Sequence, residues 1–346
     1  MTTIDTKNPN STTTDKTVID EVSGWLRLFD DGSVDRTWTG PPEARFLMAS
    51  IPPSPTPNSD NVTVHDLPGE PNLRLYLPAG DHLSPGTLLP ILLHFHGGGF
   101  CISHNSWYMY HQFYSRLAGA IPAAIFSVEL SLAPEHRLPA QIHDSFSALV
   151  RLRSISENQN SDPLFSSLDF SRVFLIGDSS GGNLVHEVAA LAGNKTDEFW
   201  SPVKLAGAIP IHPGFVRATR SKSELEMKQD PFLTLDMLDK FLAFGLPEGA
   251  TKDHPYTCPM GTEAPAMETL RLPPFMVCVA DKDLIRDTNY EYCEAMKKAG
   301  KKVEELVSKG MSHSFYLNKM AVDSDPVTAE RTKELIDAIK DFVSRH

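Results

Sequence analysis

The stretch Gly177-Asp178-Ser179-Ser180-Gly181-Gly182 holds a serine with a glycine two residues to either side. Before it, Val173-Phe174-Leu175-Ile176 is a short apolar run bounded by polar residues, which predicts a buried strand. After it, residues 183–192 have helical spacing. A strand entering a helix through Gly-x-Ser-x-Gly turns so sharply that the positions flanking the serine must be nearly free of side chains, which Gly177 and Gly181 provide. Ser179 at the tip, above a helix N-terminus, is placed to attack as a nucleophile, with developing negative charge favoured nearby. A tight turn without chemistry has the same pattern, so other parts of the chain must decide.

A second glycine run, His96-Gly97-Gly98-Gly99-Phe100, directly follows the apolar segment Leu88–Phe95. Acyl transfer needs N–H donors aimed at a carbonyl oxygen as it becomes an oxyanion, and glycines let a backbone come that close. A phosphate loop would be followed by Lys-Ser/Thr, which this run is not. The amides of Gly97 and Gly98, with that of Ser180, are the expected oxyanion donors. An acid and a base should follow in the order Ser, acid, His. After the strand-like Phe275–Ala280 come Asp281, Asp283 and Asp287. Asp283 is chosen, because Asp281 sits nearest the strand end and Asp287 is expected to cap the next helix. Of the 13 histidines, His313 lies on a loop in Gly310-Met311-Ser312-His313-Ser314, where its ring could take the Ser179 proton and later release it. His186, in the helix behind the serine, is expected to be structural.

Short strands alternate with helical stretches along the chain. Asn61–Asp66 and Leu73–Leu77 alternate like half-exposed strands. Leu88–Phe95 is a nearly continuous apolar run, as a central strand should be, and Ala123–Leu130, Leu205–Ile211, Phe275–Ala280 and Val303–Val307 read as further strands. Helices are expected over Ser106–Ala118, Gln141–Ser154, Thr288–Lys298 and Thr328–Val343. This predicts an α/β fold, a mostly parallel sheet with helices on both faces. Residues 51–60, rich in proline and serine, read as a linker. Residues 1–17 read as a disordered tail and 18–346 as one domain. Residues 214–262 break the β-α rhythm with charged helical pieces and a Pro/Gly-rich loop, as an insertion over one sheet edge would.

The chain has 346 residues, 41% of them apolar, enough for a large core. Forty-four acidic against 32 basic residues leave a formal charge of −12, which argues against nucleic acid or an anionic membrane surface as partner. Cys101, Cys258, Cys278 and Cys293 have no metal-site spacing and read as free thiols, mostly buried. No N-terminal signal peptide and no run of the roughly 18 apolar residues of a membrane helix is seen, which predicts a cytoplasmic protein.

Four stretches together resemble the plant carboxylesterases of the hormone-sensitive-lipase group of α/β-hydrolases: residues 96–100, Leu132-Ala133-Pro134-Glu135-His136-Arg137-Leu138-Pro139-Ala140, residues 177–183, and Asp283-Leu284-Ile285-Arg286-Asp287 with His313. Trp25-Leu26-Arg27-Leu28-Phe29-Asp30-Asp31-Gly32 resembles the family's N-terminal opening. The resemblance implies an α/β-hydrolase fold, a catalytic acid that falls on Asp283, and a cap over the site built from residues 18–50 and 214–262. One departure is Glu129-Leu130-Ser131, where the family has an acidic residue followed by Tyr-Arg. The family also holds gibberellin receptors, in which the catalytic histidine is replaced, and relatives that catalyse dehydrations or cyclisations.

The function expected from these residues is hydrolysis of a small-molecule carboxylic ester through an acyl-enzyme, with no cofactor and no metal. An eliminase, cyclase or acyltransferase on the same scaffold is the second reading, and a small-molecule receptor the third. Phe100 and Trp107 are candidate substrate contacts, and a monomer or weak homodimer is expected.

Overall fold

The computed structural model describes residues 16–79, 86–230 and 232–346; residues 1–15 of the expected tail lie outside these. The strands are β1 (Val18–Val22), β2 (Leu26–Phe29), β3 (Val34–Asp35), β4 (Val62–Leu67), β5 (Leu73–Pro78), β6 (Leu89–Phe95), β7 (Ala124–Val128), β8 (Leu168–Asp178), β9 (Leu205–Ile211), β10 (Phe275–Ala280) and β11 (Val303–Ser308). The helices are α1 (Tyr108–Ala120), α2 (Ala140–Glu157), α3 (Ser180–Gly193), α4 (Asp197–Trp200), α5 (Lys222–Glu226), α6 (Leu235–Gly245), α7 (Arg286–Lys298), α8 (Lys319–Ser324) and α9 (Pro326–Arg345).

Strands β4 to β11 form one sheet in the order β11-β10-β9-β8-β6-β7-β5-β4. Pairing is parallel from β7 across to β11 and antiparallel at β4 and β5. The continuous apolar runs belong to the strands covered on both faces. Along β6, Leu89, Ile91, Leu93 and Phe95 point to the core shared with α2, α3 and α7, while Leu92 points to the core under α1 and α9. Both faces are therefore sealed by helices, as the β-α alternation predicts. The neighbours of β6 are β7 on one side and β8 on the other, so the C-terminal ends of β6 and β8 open onto a common crevice.

Strands β1–β3 make a separate small antiparallel sheet. Val22, Trp25 and Leu26 pack on Met237, Phe241 and Phe244 of α6 and on Cys101 and Ile102. Lys240 Nζ donates to Glu21 O at 2.7 Å. The Arg36 guanidinium donates to Cys101 O at 2.6 Å and Ala133 O at 2.9 Å and pairs with Glu135, tying the segment after β3 to the loops beside the crevice. The Leu130-Ser131 departure is absorbed locally. Leu130 is buried, and Ser131 donates its N–H to Asp144 and accepts from Gln141.

One helix start differs from expectation. Asp287 does not cap α7 but lies within its first turn, where it accepts the Ser223 N–H at 2.8 Å and pairs with Arg286. A partner 64 residues away in sequence has taken the carboxylate from the local role. All four cysteines are buried and unpaired. No helix among the described residues is long and apolar enough to cross a membrane.

Candidate active site

Ser179 stands between β8 and α3 with φ 52° and ψ −123°, a conformation that non-glycine residues seldom hold. Its N–H donates to Ile211 O at 3.0 Å, and its carbonyl accepts from Gly182 and Gly214 at 2.8 and 2.9 Å. These bonds hold the turn in place. The flanking glycines are required by space. A Cβ on Gly177 would stand 2.5 Å from Gly181 O, and one on Gly181 would stand 2.0 Å from Phe95 O. The serine is thus presented at the C-terminal edge of β8, where β6 also ends.

The glycine run after β6 wraps against this turn. A Cβ on Gly97 would meet the Asp178 carboxylate at 2.5 Å and Ser179 Cβ at 3.1 Å, so only glycine permits the approach. Gly98 and Gly99 take positive φ, 108° and 59°, and the Phe100 N–H donates to Ser180 Oγ at 3.2 Å. Among the described residues, the amides of Gly97, Gly98, Gly99 and Ser180 are tied up in no hydrogen bond. Free amides beside a serine at a helix N-terminus are the donor set an oxyanion needs. Asp178 is buried beneath them, with His94 Nε2 at 3.5 Å; His94 Nδ1 meets Ser127 Oγ at 2.8 Å. Burial lowers the pKa of His94 despite that carboxylate, and it pulls His96 down to about 3.

Asp283 and His313 meet behind the serine. His313 Nδ1 lies 2.6 Å from Asp283 Oδ2, and Asp283 Oδ1 accepts the Ile285 N–H at 3.2 Å. Asp283 is 1% exposed and His313 7% exposed, so little water screens the pair. Burial opposes the imidazolium, but the Asp283 carboxylate outweighs it, and the His313 pKa is raised above its ordinary value. With Nδ1–H donated to Asp283, the other ring nitrogen is free to accept a proton. Asp281, the nearer neighbour of β10, accepts the Gly310 N–H at 2.6 Å and so helps shape the loop that carries His313.

Ser179, Ser180, Gly98 and His313 line one pocket. The serine and histidine face it without a hydrogen bond between them; such contacts commonly tighten only with substrate in place. The remaining walls are mostly apolar: Phe100 and Ile102 from the glycine-rich loop, Trp25 before β2, Phe232, Leu233 and α6 residues Leu238, Phe241 and Leu242, with Leu317 beyond the histidine. Phe100 therefore lies where the sequence reading put a substrate contact. Trp107 does not line the pocket; it stacks on Trp25, which does, with ring centroids 6.5 Å apart. The α6 contribution could have been noticed as two apolar rows at four-residue spacing, 233/237/241 and 234/238/242 with Thr234 interrupting the second. Nothing in the local pattern says those rows would meet the serine. His186 bonds Tyr292 OH through Nδ1 at 2.9 Å, away from the pocket, and burial lowers its pKa to about 4.

Among the described residues, one group of side chains could in principle hold a metal ion: His212, Asp283 and His313, each offering an atom within 4.8 Å of the others. Nδ1 of each ring is already committed, to the Ser314 N–H and to Asp283.

A family model described as alpha/beta hydrolase fold matches residues 92–317. The Arabidopsis thaliana protein named probable carboxylesterase 6 is 34% identical over 323 residues, covering 92% of this chain and 90% of its own. A gibberellin receptor of Arabidopsis thaliana is 34% identical over 289 residues, covering 79% and 80%. Among solved structures, an esterase of Pyrobaculum calidifontis superposes with a TM-score of 0.66 at 25% identity, covering 82% of this chain and 84% of that one.

Proposed function

The chain belongs to the α/β-hydrolase fold family, and from that membership we propose that it is a serine carboxylesterase acting on small, uncharged esters. The observation that carries this reading is the buried 2.6 Å contact between His313 and Asp283 in the wall of the pocket that also presents Ser179. A receptor that only binds a ligand has no use for a basic histidine backed by a carboxylate.

In the proposed cycle, Ser179 Oγ attacks the ester carbonyl carbon while His313 takes the hydroxyl proton. The carbonyl electrons move onto oxygen, and the amides of Gly97, Gly98 and Ser180 receive the oxyanion. The tetrahedral species collapses with loss of the alcohol, which leaves with the proton from His313. Water then gives a proton to His313, attacks the acyl-serine, and a second collapse returns that proton to Ser179 and frees the acid. Asp283 accepts the Nδ1–H of His313 and so holds the ring in the tautomer that accepts the proton. Residues 18–50 and 214–262 form the cap in this reading, and the apolar walls they supply favour uncharged acyl and alcohol groups.

The test is turnover of p-nitrophenyl acetate and butyrate by the wild type, by Ser179→Ala, and by protein pretreated with a fluorophosphonate. Loss of turnover by several orders of magnitude in both controls is the expected result. Labelling of Ser179 without ester turnover would favour elimination or acyl transfer to another acceptor. Neither labelling nor turnover would leave the receptor reading.

A further inference from the structure

A second histidine stands at the back of the His313–Asp283 pair. β9 ends at Ile211, and the next residue, His212, is fully buried with φ 45°. Its Nδ1 accepts the Ser314 N–H at 3.1 Å, and Ser314, immediately after His313, is itself left-handed at φ 50°. Its Nε2 is buried with no hydrogen-bond partner among the described residues. The ring lies 6.0 Å from that of His313 and packs on Phe315 and Tyr316. An acceptor at Nδ1 and a neutral ring together place its single proton on Nε2. Burial lowers its pKa to about 3, so the ring stays neutral wherever the enzyme works.

We propose that His212 is a positioning residue for the His313–Asp283 pair, gripping the histidine loop through Ser314 and setting its ring within 4.8 Å of the Asp283 carboxylate. Two left-handed residues on separate loops are joined by this hydrogen bond, so the backbone on which His313 sits is tied to the end of β9 as well as, through Asp281, to the end of β10. β9 is also the strand whose last carbonyl, at Ile211, holds the Ser179 N–H. Consecutive residues, Ile211 and His212, therefore fix the nucleophile and the base against each other. Neutrality matters as well. The carboxylates within electrostatic reach of His313 are Asp283, Asp178 and Asp230, all of which favour its protonated form, and a cation at position 212 would offset them.

The proposal rests on the serine-esterase reading, so its test needs one readout that does not depend on ester turnover. His212→Asn keeps an oxygen near the Nδ1 position and tolerates positive φ; His212→Ala removes the acceptor, and His212→Gln displaces it. With p-nitrophenyl acetate, His212→Ala should lose about tenfold to a hundredfold in kcat, with KM within about twofold, because a small misplacement of a catalytic group costs rate rather than binding. His212→Asn should recover most of the loss. In NMR spectra, the proton between His313 Nδ1 and Asp283 should shift in His212→Ala and return in His212→Asn. Folded His212→Ala with wild-type kcat and an unmoved proton signal would overturn the proposal, as would equal impairment of Ala and Asn. Should His212→Ala not fold, His212→Gln takes its place, and equal activity of Asn and Gln overturns it. If the wild type hydrolyses no ester, the esterase reading fails by itself and the proton signal still decides the role of His212.

Discussion

At the scale of single residues the site depends on one carboxylate setting the state of one imidazole. In the proposed mechanism His313 must be neutral to accept the Ser179 proton, and Asp283 raises its pKa. For an uncharged ester, kcat/KM should therefore be low in acid and rise with pH, with a midpoint above the ordinary histidine value of about 6.5. Asp283→Asn removes the charge that favours the imidazolium, so the midpoint should move to lower pH. The loss of the correct tautomer should cost about 10⁴-fold in kcat. A pH profile of both proteins checks the two effects together. Ser179, the glycine runs, Asp283 and His313 were legible in the sequence because each lies just past a strand whose apolar run marks its end. His212 has the same placement, after Leu205–Ile211, yet carries no motif; its role comes from a backbone amide 102 residues away.

At the scale of elements, the β8–α3 turn works by mutual exclusion of side chains. Gly181 leaves no room for a Cβ, which would stand 2.0 Å from Phe95 O. Gly181→Ala should push β6 and β8 apart at their C-terminal ends. A stability loss of about 1–3 kcal/mol in urea unfolding is expected, together with loss of fluorophosphonate labelling at Ser179. Retained labelling would mean the turn can relax without moving the serine. The sheet and its helices were readable because burial on one or both faces imposes a period on the chain. β9 and β10 match their expected spans to the residue, and most other boundaries shift by one to three residues, since hydrogen bonding rather than polarity ends an element. β8 is the exception: it starts at Leu168, ahead of the apolar run, because Leu168 and Asp169 pair with Leu89 and Pro90. Asp287 was misread because its choice between a helix cap and Ser223 was made by tertiary packing.

At the scale of the whole molecule, the pocket is closed by pieces from distant parts of the chain. Trp25 comes from the N-terminal sheet, and Leu238, Phe241 and Leu242 from α6. Trp25→Ala should enlarge the cavity without touching the reacting groups. Its kcat on p-nitrophenyl acetate should stay within about threefold, while KM values for longer acyl chains change most, which a chain-length series would reveal. The family resemblance implied a cap from residues 18–50 and 214–262, but which of their side chains would line the pocket was not legible, since no local pattern sets how the two segments pack. The order of the pieces also has a consequence during synthesis. The N-terminal strands leave the ribosome first, yet the surface that covers Val22, Trp25 and Leu26 arrives with α6, more than half the chain later. The nucleophile follows the same schedule, because Ser179 emerges well before Asp283 and His313. In the proposed mechanism, a nascent or truncated chain ending before residue 313 would thus carry Ser179 without the base that activates it.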